Sequence, residues 1–105
     1  MGLTYSPINL DGTPFDVNSA GASILAMIYE KAKLPLIRDS RIPFIASSSE
    51  VEFMLGELSQ LPADAIKSLQ NDCIQFGLLS PDSTIKEFLN EWMDFLKTSG
   101  GYTCE

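Results

Sequence analysis

Histidine is missing from the chain altogether, which removes both the ready proton shuttle near neutral pH and the commonest zinc ligand. Cysteine is scarce: Cys73 and Cys104 are the two present, too few for a disulfide framework and too far apart for a metal knuckle. Cys73 lies inside a helical apolar pattern beside Asp72, whose charge disfavours a thiolate, so it reads as a small packing residue rather than a nucleophile. Cys104 is too near the chain end for a prenylation box. The sequence also contains no glycine-rich phosphate cradle, no G-x-S-x-G elbow and no calcium loop. Carboxylates alone remain as candidate catalysts, and no cofactor is implied.

Long hydrophobic runs are lacking too. The longest, Ile24 to Tyr29, falls far short of the roughly 18 to 20 residues that cross a bilayer, so no membrane span is expected. The opening MGLTYSPINL has neither the basic start nor the continuous apolar stretch of a secretory signal, and a cytoplasmic location is the expectation. Gly2 with Ser6 fits the loose myristoylation pattern, a match short enough to arise by chance.

Positive charge is in short supply as well. Seven Lys and Arg stand against 14 Asp and Glu, for a net charge of −7. Residues 1–41 are balanced, with Lys31, Lys33, Arg38 and Arg41 against Asp11, Asp16, Glu30 and Asp39, so the whole excess lies in residues 42–105. Such a surface repels phosphate backbones and anionic lipids, because binding either depends on Lys and Arg replacing counterions. Direct nucleic-acid or membrane binding is disfavoured; a basic protein partner is favoured.

What is present is enough for a folded domain. At 105 residues and 45% hydrophobic, one domain of this size hides about two-thirds of the surface its unfolded chain exposes. Residues 1–17 hold Pro7 and an LDGTP turn and read as an irregular or hairpin-like arm. Asp11-Gly12 is taken as a tight turn, since a phosphatase-type acid loop needs a second aspartate where Asn9 stands.

Four helices are expected over residues 18–98. The first, capped by Asn18 or Ser19, carries Ala20, Ile24, Met27 and Ile28 at helical spacing. A loop bracketed by Pro35 and Pro43 follows, with Arg38 and Arg41 flanking Asp39 as the one basic spot, then a short extended piece, PFIA. In the second helix a capping box is offered by Ser47 with Glu50 or Ser49 with Glu52, which explains the serine run without phosphorylation. Val51, Met54, Leu55 and Leu58 form its buried stripe, while Phe53 points nearly opposite, beside Glu57 and Gln60. Pro62 opens the third helix, Gly77 closes it, and Ile66, Leu69, Cys73 and Phe76 share a face.

The fourth helix, to about Thr98, carries Ile85, Phe88, Leu89, Trp92, Met93 and Leu96 on one side, with Phe95 on the flank. This apolar arc spans about 160°, wider than the roughly 100° that packs against one neighbour. Glu87, Glu91 and Asp94 line the reverse. The width is explained either by a wedge between two elements, with every aromatic internal, or by an open Phe95 or Met93 flank left for a partner. Residues 99–105 read as a mobile tail.

The fold expected is therefore all-α in the main: a compact bundle of about four helices behind an N-terminal arm. The function expected is a non-catalytic protein–protein interaction module of adaptor, inhibitor or immunity type. Its contact set is Phe53, Glu57, Glu87, Glu91 and Asp94, joined by Trp92 or Phe95 if their flank is exposed. The alternative is a subunit that self-associates as a homodimer through the surplus apolar side of the last helix. A small enzyme using carboxylates only is the third reading.

Overall fold

Pro7, Asn9 and Gly12 reverse the chain near its start, the Gly12 N–H donating to the Asn9 carbonyl at 3.1 Å. This turn joins two strands, β1 (Leu3–Pro7) and β2 (Phe15–Val17), paired antiparallel with Tyr5 opposite Phe15. The computed structural model describes residues 2–37 and 41–105. After the hairpin come α1 (Ser19–Lys31), β3 (Ile45–Ala46), α2 (Ser48–Ser59), α3 (Ala63–Gln75), α4 (Ile85–Ser99) and β4 (Tyr102–Cys104).

The four strands form one antiparallel sheet in the order β2-β1-β4-β3. This overturns the all-α helical bundle: the fold is an α+β mixture. It also overturns the mobile tail, because β4 lies in the middle of the sheet, between β1 and β3. Gly100 (φ 67°) and Gly101 (φ 114°) supply the left-handed backbone that turns α4 into β4. A side chain at Gly101 would meet the Ala46 carbonyl oxygen at 2.7 Å. The last residue is held as well, since Thr4 and Glu105 exchange backbone hydrogen bonds of 3.1 and 3.0 Å.

One face of the sheet is covered and the other is wet, as alternation along short antiparallel strands requires. Tyr5, Val17 and Tyr102 are buried, whereas Asp16 and Thr103 are exposed. α4 packs on β1, α2 and α3, and α1 packs on α3 and β2. The wide arc of α4 is thus consumed inside, wedged between the sheet and other helices. Trp92 is 0% exposed and stands in edge-to-face contact with Tyr5 at 5.0 Å, Phe15 at 5.2 Å and Tyr102 at 5.8 Å between ring centroids. Phe95 stacks on it at 5.2 Å. Geometries of this kind add about 0.5–1.5 kcal/mol per pair beyond burial itself.

Local chemistry sets the helix ends. Asn18 accepts the Gly21 N–H at 2.8 Å and Thr84 the Glu87 N–H at 3.3 Å. Of the two capping boxes offered by the sequence, Ser47 with Glu50 is the one formed. Gln70 of α3 binds the start of α4 from both ends of its amide, accepting from the Ile85 N–H and donating to the Ser83 carbonyl. No helix among the described residues is long and apolar enough to cross a membrane.

Candidate partner-binding surface

The last turn of α1 determines where the following chain goes. Lys33 takes a left-handed conformation (φ 60°). Its N–H donates to the Glu30 carbonyl at 3.1 Å, and the Leu34 N–H reaches back to Tyr29 at 2.8 Å. These paired bonds are a Schellman closure with lysine where glycine is usual. The turn delivers Leu34 and Pro35 to one wall of a groove of about 210 Å³. Pro43, just before β3, adds to it, and its carbonyl accepts the Tyr102 hydroxyl at 2.7 Å.

α2 supplies the other wall through Ser49, Glu50, Phe53 and Met54. Met54 belongs to the buried stripe, and its Sδ accepts the Tyr29 hydroxyl at 3.2 Å, which in turn accepts the Trp92 indole N–H at 3.1 Å. Phe53 is off the stripe, as its helical phase predicts, and is 58% exposed. Glu50 accepts the Ser47 backbone N–H at 3.0 Å. This bond, with that from the Ser47 hydroxyl, holds its carboxyl below the usual carboxylate range. The groove therefore has an apolar interior and a fixed negative charge at its edge.

The seven predicted contact residues divide into three groups. Phe53 lines the groove, and Glu57 lies half-buried one turn further along α2. Glu87, Glu91 and Asp94 are exposed on the outer side of α4, and no α4 residue lines the groove. Trp92 and Phe95 are internal, so the condition on which they join the contact set, an exposed flank, is not met: the sheet covers them. Leu34, Pro35, Pro43 and Met54 were not among the contact residues expected from sequence, where the prolines bracket a loop and Met54 belongs to the buried stripe. The usable signal was two prolines bracketing a loop before a helix with an off-stripe phenylalanine.

Of the predicted basic spot, Arg38 and Asp39 lie outside the described residues; Arg41 is exposed, and its carbonyl accepts the Ile37 N–H at 2.7 Å. The acids are little used internally. Among the described residues the one ion pair is Asp94 with Lys97 at 3.9 Å, both largely exposed, a class of contact worth about 0–1 kcal/mol. Glu52, Glu57, Glu87 and Glu91 have no cation within ion-pair distance among the described residues. Ile37, Phe44 and Ile45 leave further apolar surface exposed on either side of β3's lead-in. No protein-family model, curated protein or solved structure matches the chain.

Proposed function

We propose that the protein is a non-catalytic interaction module of adaptor, inhibitor or immunity type, acting in the cytoplasm, that docks on a basic protein partner through the outer faces of α2 and α4. The observation that carries this reading is the unneutralised charge on those helices. Glu52, Glu57, Glu87 and Glu91 are bound to no lysine or arginine among the described residues, although charge of one sign costs a folded chain self-repulsion. Such a field speeds encounter with a cationic surface and rejects anionic ones. Phe53 adds an exposed aromatic ring of the kind that dominates interface energies.

Self-association through α4 is set aside, because the apolar side it would use is packed against the sheet, α2 and α3. The test is capture from native lysate by the wild-type domain and by the triple variant Glu87→Lys, Glu91→Lys, Asp94→Lys. Basic proteins captured by the wild type should be lost with the variant, and released as salt rises. A captured set unchanged by both treatments refutes the reading.

A further inference from the structure

Resting on that reading, we propose that the groove between α2 and Leu34, Pro35 and Pro43 is its anchor subsite, which takes one large apolar side chain of the basic partner, flanked there by a lysine or arginine facing Glu50. Size is the first argument. At about 210 Å³ the groove is below the roughly 300–1,000 Å³ of small-molecule sites, and suits a side chain rather than a cofactor.

Preorganisation is the second. Leu34 is held by the Schellman bonds, Pro43 by the Tyr102 hydroxyl and Met54 by the Tyr29 hydroxyl. Two of the lining residues, Pro35 and Pro43, are prolines. Walls already fixed in the free protein lose little freedom when filled, so more of the contact energy is kept as affinity. Filling the groove also covers Phe53, an apolar ring otherwise in water.

Charge complementarity selects the occupant. The Glu50 carboxylate is at the groove edge, oriented by the Ser47 N–H, and Glu52 and Glu57 follow on the same helix without cationic partners among the described residues. An apolar residue between acids would be repelled, and one between neutral residues would leave this charge unused. A basic segment satisfies both demands: long-range attraction from the acids and a short-range apolar anchor.

Three short synthetic peptides separate the contributions: lysines around a single leucine, the same with alanine for leucine, and glutamates around leucine. Binding is read by amide shift perturbation in nuclear magnetic resonance on the wild type and on Phe53→Asp. The leucine–lysine peptide should bind about tenfold more tightly than the alanine one, as burial of one aliphatic side chain implies, with shifts centred on Leu34, Phe53 and Met54. Phe53→Asp should abolish that gain while leaving the alanine–lysine peptide bound; the glutamate peptide should not bind.

Equal binding of the two lysine peptides to the wild type overturns the groove assignment and leaves the acidic-face reading standing. Failure of both to bind defeats that reading and the assignment with it. Sedimentation of the wild type showing a dimer that Phe53→Asp dissociates would make a second copy the occupant, which also overturns the proposal.

Discussion

Raising the pH tests the core directly, because each of the three tyrosines in the chain is buried. Burial is the largest cause pushing Tyr5, Tyr29 and Tyr102 well above the ordinary phenol value of 10.0; for Tyr29, donation from the Trp92 indole opposes it in part. The folded chain therefore keeps three protons that the unfolded chain gives up near pH 10. The stability they carry is fully present below about pH 10 and is lost as pH rises above it toward the folded values. Each proton contributes about 1.4 kcal/mol per pH unit, so three give about 4 kcal/mol per unit. A domain stable by about 5–15 kcal/mol exhausts that reserve within roughly one to four units. The Cys73 thiol, raised by burial and then by Asp72, acts in the same direction.

The assay follows tyrosinate absorbance, Trp92 fluorescence and circular dichroism through one alkaline titration. All three tyrosines should ionise together, in one steep step that coincides with loss of helix signal and exposure of Trp92. A tyrosine that titrates gradually near pH 10 while the dichroism stays native would show that its ring reaches water in the folded state. The sheet-and-helix core described here would then be wrong at that strand or helix.

Tyr29→Phe removes the acceptor of the Trp92 indole N–H; the buried donor left behind should cost about 1–3 kcal/mol in denaturant melts, and the alkaline step should lose one of its three protons. Lys33→Gly relieves the left-handed strain at the end of α1 and should raise stability by about 1 kcal/mol without altering groove-peptide binding.

The helices were legible because their signals are local. The Asn18 and Ser47 caps, Pro62 before α3, Gly77 after it and the spacing of Ile85 to Leu96 all act within a few residues of the element they define. The hairpin-like arm and the extended PFIA were legible as pieces and became β1–β2 and β3, but their assembly into one sheet through β4 was not, for the opposite reason. β2 and β4 have three residues each and β3 two, too few for alternation to register. β4 is a strand because Tyr5 and Thr4 are there to pair with Cys104 and Glu105, nearly the whole chain away. Without the sheet the choice for Trp92 and Phe95 stays undecided in the sequence, since the breadth of the α4 arc is compatible with a second covering layer, which the fold has, or with an open flank. Phe53 was placed correctly because helical phase alone turns it away from Val51, Met54 and Leu58.

The groove and the acidic faces are built from different parts of the sequence, and this division assigns them different tasks in the proposed docking. The acids need only stand on the outside of α2 and α4, and their field reaches about a Debye length, near 8 Å in physiological salt. They attract without specifying. The groove depends on distant residues meeting: Tyr102 from β4 holds Pro43, Tyr29 from α1 holds Met54, and Trp92 from α4 bonds to Tyr29. A surface whose walls are fixed by the buried core can discriminate shape at van der Waals range, where exposed charges cannot. Partner attraction should therefore survive many single substitutions on the helices, whereas choice among basic partners should be sensitive to residues that never touch the partner, with Tyr102 and Tyr29 foremost because each bonds directly to a wall of the groove.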